Sequence, residues 1–116
     1  EVQATFNPSL LQRAVYNLLQ NAYKYGKPGG HITVTLRAAG HGAALSVADD
    51  GIGIAPEDQE KIWQRFWQAD PSRGEDGGSG LGLSMVQEIA AFHGGHATVD
   101  STPGQGSTFT ITLPKR

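Results

Sequence analysis

The 116 residues include no cysteine, which excludes a disulfide framework and any thiolate metal site and is compatible with a reducing compartment. There is no basic excess either: the formal net charge is −2, and the basic residues are scattered. Neither a nucleic-acid partner nor direct contact with a membrane surface is therefore expected. No apolar run approaches the ~20 residues that cross a bilayer, and residues 1–6 lack the charged and apolar regions of a signal peptide. The expectation is a soluble chain, cytoplasmic or the cytoplasmic part of a membrane-bound protein, as a piece of something longer. Two phosphate-binding signatures are missing as well. Neither G-x-x-x-x-G-K-[ST] nor G-x-G-x-x-G occurs, which disfavours a P-loop and a dinucleotide-binding fold. A chain of this length fits one domain, which can bury roughly two thirds of its unfolded surface.

The elements follow from local pattern. Residues 2–6 alternate loosely and read as a short edge strand. Asn7-Pro8 then supplies a cap and a first-turn proline, so a helix is predicted over about 8–25. At 100° per residue Leu11, Val15, Leu18 and Ala22 form its core stripe, and Asn17, Asn21 and Lys24 form a second stripe roughly 130° away. Gly26-Lys27-Pro28-Gly29-Gly30 stops the helix and turns the chain. Residues 31–37 alternate as a half-buried strand, with 43–49 as its hairpin partner. Pro56-Glu57-Asp58 opens a short helix that continues through Phe66. Residues 68–77 show no periodicity and read as a mobile loop. A helix over 79–92 follows, then strands at 96–100 and 107–113. Strands arrive in pairs between helices, which predicts an α+β fold: a two-layer α/β sandwich in which a mixed sheet of about five strands carries about three helices on one face.

What the chain has in quantity is placed glycine. Asp76-Gly77-Gly78-Ser79-Gly80-Leu81-Gly82-Leu83 runs without a break into the apolar helix. Gly78, Gly80 and Gly82 remove the Cβ atoms that would hold an anion off the backbone, and the helix start presents unpaired N–H groups, which together make a phosphate seat. Read alone, the same run is a flexible loop capped by a helix. The four histidines, His31, His41, His93 and His96, show no metal-ligand spacing on one helix face.

Asn17-Leu18-Leu19-Gln20-Asn21-Ala22-Tyr23-Lys24-Tyr25 resembles the asparagine box of the ATP-binding catalytic domain of sensor histidine kinases, members of the GHKL group of ATPases. Asp49-Asp50-Gly51-Ile52-Gly53-Ile54 resembles the first glycine box and Trp63-Gln64-Arg65-Phe66-Trp67 the phenylalanine box. Gly78 to Leu83 resembles the second glycine box, and Gly104-Gln105-Gly106-Ser107-Thr108-Phe109 the third. The boxes occur in order over nearly the whole chain, so residues 1–116 are expected to form one such domain, without the dimerisation and phosphoacceptor domain.

The resemblance implies ATP and Mg²⁺ as cofactors and assigns roles residue by residue. Asp49 accepts a hydrogen bond from the adenine amine, while Gly51 and Gly53 admit the flat base. Asn21 ligates Mg²⁺, to which one neutral amide oxygen is suited because the ion keeps waters and phosphate oxygens. Asn17 lies nearby and Lys24 touches phosphate; the same face read alone is a solvated helix surface. Tyr25 lies near the adenine or simply closes the helix. Gly78, Gly80, Leu81 and Gly82 seat the phosphates. Thr108 supports the adenine contact through water, or is a plain strand threonine. The loop over 68–77 is the ATP lid, with Phe66 and Trp63 anchoring its base. Many relatives carry an arginine where this chain has Gln68, so the phosphate-contacting cation is Arg73 on the lid, or Arg65.

In catalytic terms Asn21, Lys24 and Arg73 carry the transfer. The implied function is donation of the γ-phosphate to a histidine on a separate dimerisation and phosphoacceptor domain, with a response regulator downstream. A hydrolysing ATPase of the same superfamily, and a nucleotide-sensing module that transfers nothing, are the alternative readings.

Overall fold

The computed structural model of the chain describes residues 7–27, 29–40, 42–64 and 82–114. The expected strand at 2–6 and lid at 68–77, with Phe66 and Arg65, lie outside the described residues.

Helix α1 (Pro8–Tyr25) begins as its capping signals dictate. The Asn7 side-chain oxygen accepts the Leu10 N–H at 3.1 Å, and Pro8 takes the first turn, where a missing N–H is harmless. Its deepest burial runs through Ala14, Leu18 and Ala22, with Leu11 and Val15 half-buried. The expected stripe is thus displaced toward Ala14. The displacement arises because α1 packs against both the sheet and helix α2 (Gly82–Phe92), and small residues let backbones approach.

Four strands form the sheet: β1 (Ile32–Ala39), β2 (Gly42–Asp49), β3 (His96–Thr102) and β4 (Gly106–Leu113). Their order is β1-β2-β4-β3, and every pairing is antiparallel. Among the described residues the sheet is antiparallel throughout rather than mixed, and four of the about five expected strands are described, the stretch at 2–6 lying outside. The physical reason is that β1–β2 and β3–β4 are each joined by a tight turn, which permits only the antiparallel sense. The helix predicted over 56–66 is likewise replaced, within the described residues, by two 3-10 turns, Pro56–Asp58 and Lys61–Trp63. Gln59, between them, donates from Nε2 to the carbonyls of Ile54 and Ser101, each at 3.0 Å. These tertiary bonds hold a segment too short to nucleate an α-helix alone.

The core lies between the helices and one sheet face, with Leu18, Val47, Ile62, Val86 and Ile111 its largest fully buried side chains. Trp63 meets Phe109 edge to face at a centroid distance of 5.9 Å. By register, Ile32, Val34 and Leu36 share the helix-facing side of the sheet with Asp49, Val47 and Leu45. They are nevertheless 42%, 50% and 59% exposed. Strand β1 was expected to be half-buried; alternation marks an apolar face without saying whether a helix reaches it, and α1 lies over β2. Among the described residues no helix is long and apolar enough to cross a membrane.

Two side chains tie α2 to its neighbours, one to α1 and one to the sheet. His93, 8% exposed at the end of α2, accepts the Asn7 N–H on Nε2 at 2.8 Å. Its Nδ1 therefore carries the proton and donates to the Ile89 carbonyl at 2.7 Å. Gln87 of α2 grips Ala97 of the edge strand β3: its Oε1 accepts the Ala97 N–H at 3.0 Å and its Nε2 donates to the Ala97 carbonyl at 3.2 Å. Gln87→Ala is expected to lower the unfolding free energy by about 1–2 kcal/mol, because two part-buried backbone groups lose their partners. Urea denaturation with an unchanged midpoint would contradict this.

Candidate functional site

The loop after β2 is held by glycines that let backbones touch. A Cβ on Gly51 would run into the Tyr25 carbonyl at the end of α1, and the Ile52 N–H donates to that same carbonyl at 3.2 Å. Gly53 has φ +74°, and its Cβ would run into the Thr102 carbonyl; Gly106, at φ +117°, faces the Asp49 carbonyl in the same way. The Gly104 N–H donates to the Ile52 carbonyl at 2.8 Å. The loop is thereby clamped between α1 and the β3–β4 turn, so the missing Cβ atoms of Gly51 and Gly53 serve close backbone packing.

Ile54 is pinned at both ends. Its N–H donates to Ser101 Oγ at 2.8 Å, and its carbonyl accepts from Gln59. The clamp leaves an open cleft lined by Asn21, Tyr25, Asp49 and Gly53 together with Ser107 and Leu83. Asp49 ends β2 half-buried, its Oδ1 accepting the Gly51 N–H at 2.9 Å. Burial pushes its carboxyl above the usual carboxylate range, the Gly51 and Ser107 N–H groups pull the other way, and neighbouring Asp50 adds a smaller upward push.

Asp50 is turned to a different task. Its Oδ1 accepts the His31 N–H at 2.9 Å, and its Oδ2 lies 3.2 Å from His31 Nδ1. The His31 N–H is the largest cause holding its carboxyl below the ordinary value, with the His31 ring and Lys27 assisting against a smaller upward effect of burial. Adjacent carboxylates are thus separated in role: Asp50 fastens the α1–β1 loop, and Asp49 faces the cleft.

The expected site residues are not all brought together. Asn17 donates from Nδ2 to the Arg13 carbonyl at 3.0 Å and meets Met85 Sδ at 3.6 Å; a Cβ on Gly82, the first residue of α2, would lie 3.3 Å from its Oδ1. It braces α1 against α2 beside the cleft. Lys24 is exposed, with Nζ 4.9 Å from the centre of the Tyr25 ring. Thr108 sits on β4 opposite Ala48 and Asp100, on the sheet face away from Asp49. Ser107, opposite Asp49 in register, is the residue of that pair on the cleft side. Arg73, Gly78, Gly80 and Leu81 lie outside the described residues.

Sequence reasoning missed Ser107, Asp58, Ile52, Ile54, Ala55 and Leu83, which also line the cleft. For Ser107 a signal was present. Phe109, Ile111 and Leu113 are the inward residues of β4, and period-two alternation from them puts 107, not 108, on the inner face. For Asp58 there was none, because a short acidic turn reads as solvated.

Residues 6–116 match the family described as histidine kinase-, DNA gyrase B-, and HSP90-like ATPase. The sensor-like histidine kinase SenX3 of Mycobacterium tuberculosis is 47% identical over 107 residues, covering 91% of this chain and 26% of the relative. Among solved structures, a mycobacterial sensor histidine kinase MprB superposes with TM-score 0.82 at 36% identity, over 100% of this chain and 80% of that one. Full-length ShkA in complex with AMPPNP superposes with TM-score 0.80 at 34% identity, over 90% of this chain and 21% of that one. The chain spans between about a seventh and about a quarter of the length of the curated relatives it matches. With a family match over nearly its full length and a two-layer fold shared with kinase catalytic domains, the chain belongs to the histidine kinase-, DNA gyrase B-, and HSP90-like ATPases of the GHKL superfamily and is homologous to the catalytic domains of sensor histidine kinases.

Proposed function

We propose that residues 1–116 form the ATP-binding catalytic domain of a sensor histidine kinase, which binds Mg·ATP in the cleft and donates the γ-phosphate to a histidine on a separate dimerisation and phosphoacceptor domain. A response regulator is the downstream partner, and the cytoplasm is the compartment. The observation that carries this reading is one cleft lined by both Asp49 and Asn21. Asp49 offers a half-buried carboxylate, held in place by backbone N–H groups, to an amine such as that of adenine. Asn21 offers a neutral oxygen from a rigid helix. That ShkA was solved in complex with AMPPNP, an ATP analogue, supports the reading of this chain as a nucleotide binder.

The donor set fits Mg²⁺ bound through its nucleotide. Among the described residues no three His, Cys, Asp or Glu side chains could together hold a metal, so the ion would rely on phosphates, waters and Asn21 Oδ1. When bound it neutralises phosphate charge. The chain's own contribution is positioning: Asp49 orients the base, Asn21 the phosphate end, and Lys24 offers its ammonium to phosphate.

Transfer rather than hydrolysis is favoured by the residue one turn before Asn21. In hydrolysing relatives the resemblance places a glutamate base there; here it is Asn17, whose amide is bonded to the Arg13 carbonyl and cannot take a water proton. The isolated chain is expected to bind Mg·ATP and hydrolyse it far below one turnover per second, the low end of ordinary enzymes. Supplied with a cognate acceptor domain in trans, it should form acid-labile phosphohistidine. Turnover near one per second would favour a hydrolase, and tight ATP binding with no transfer to any matched acceptor would favour a sensing module.

A further inference from the structure

Ser101 and Ser107 stand opposite each other on β3 and β4, their Oγ atoms 2.8 Å apart. Only one arrangement of their protons lets every hydrogen bond around them form at once. Ser101 Oγ donates to the Gly106 carbonyl at 2.9 Å and accepts the Ile54 N–H at 2.8 Å. With its single proton committed, Ser101 can only accept from Ser107, so the Ser107 proton points at Ser101. Ser107 is 6% exposed and lines the cleft with Asp49. Whatever else its oxygen meets there, it meets as an acceptor. The Asp49 carboxylate is acceptor-only as well. Gln59 secures the arrangement from outside the cleft by holding the backbone carbonyls of both Ser101 and Ile54.

We propose, resting on the reading of this cleft as an ATP site, that Ser101 is a positioning residue for base selectivity. By locking the Ser107 hydroxyl it leaves Asp49 and Ser107 as acceptors only. A base with an exocyclic amine supplies the donors they need. A base with an exocyclic carbonyl would set lone pair against lone pair, at the cost of unpaired buried polar groups. Without Ser101 the Ser107 hydroxyl is free to rotate and donate to such a carbonyl.

The test is calorimetric titration of the chain with Mg·ATP and with Mg·inosine triphosphate, which has the same sugar and phosphates but a carbonyl in place of the amine and an N–H in place of the adjacent ring nitrogen. The wild-type chain should prefer ATP, and Ser101→Ala should lower the ATP-to-inosine-triphosphate affinity ratio roughly tenfold, the worth of about one hydrogen bond. Ser101→Thr, which keeps the hydroxyl, should restore it. If Ser101→Ala weakens both nucleotides alike and leaves the ratio unchanged, the residue is merely structural and the proposal is overturned. Should that variant fail to give a folded circular dichroism spectrum, Ser107→Ala decides: it removes the acceptor yet leaves Ser101 bonded to Gly106 and Ile54. A lowered ratio in that variant supports the proposal and an unchanged one overturns it. A wild-type chain that binds neither nucleotide overturns the ATP-site reading itself, and this inference with it.

Discussion

Asp49→Asn is expected to cost about 2–3 kcal/mol of ATP affinity, roughly a hundredfold, while making the nucleotide-free chain more stable at neutral pH. The two effects share one cause. Asp49 is half-buried, and burial disfavours its charge more than the Gly51 and Ser107 N–H groups favour it. The ionised carboxylate therefore weighs against folding, and an amide of the same shape removes that cost. Toward adenine the amide is the poorer group, since it can present N–H where an acceptor is required. The pH dependence follows in sign. A carboxyl whose folded value lies above its unfolded one contributes stability at acid pH, fully present below the unfolded value and lost as pH rises through the folded one. The melting temperature of Asp49→Asn should thus exceed wild type at neutral pH, with the difference vanishing in acid. Asp50, held below its ordinary value chiefly by the His31 N–H, behaves oppositely: its contribution is present above the unfolded value and lost as pH falls through the folded one. Unchanged ATP affinity by calorimetry would remove Asp49 from the base site.

On the proposed function, Asn21→Ala is expected to reduce phosphotransfer to histidine by on the order of a hundredfold or more, because the cleft then lacks the amide oxygen proposed to ligate Mg²⁺. Alanine is the best helix former, and the position is only half-buried in the middle turns of α1, so the fold should survive. The informative comparison is ATP binding with and without Mg²⁺. The variant should lose the metal-dependent part of the affinity and keep the part that Asp49 provides. Phosphohistidine formation near the wild-type rate, in a variant with a wild-type melting curve, would move the metal ligand elsewhere.

Much of this site could be read locally. Asn7-Pro8 and the apolar spacing that follows determined α1, because capping and helical periodicity act within a few residues. Gly40 and Gly104, at φ +59° and +81°, lie in the turns of the two hairpins, where a positive φ favours glycine. The Asp49-Asp50-Gly51-Ile52-Gly53 stretch was likewise visible, since its chemistry is written in consecutive residues. What tertiary structure alone decided is which of these groups meet. Ser101 reaches Ile54 across 47 positions, and His93 reaches Asn7 across 86. Those distances in sequence carry no periodic signal. The same holds for β1, whose alternating pattern was correct while its cover was not, because burial depends on where α1 lands. The sequence by itself determined α1, the strands of both hairpins and the Asp49–Gly53 stretch; only tertiary contacts made 3-10 turns of the segment after Pro56, and only the packing of α1 and of the β3–β4 hairpin onto the loop after β2 turned Asp49 and Ser107 inward and left Asp50 and Thr108 outside, since a side chain's direction is set by the contacts its backbone is held in.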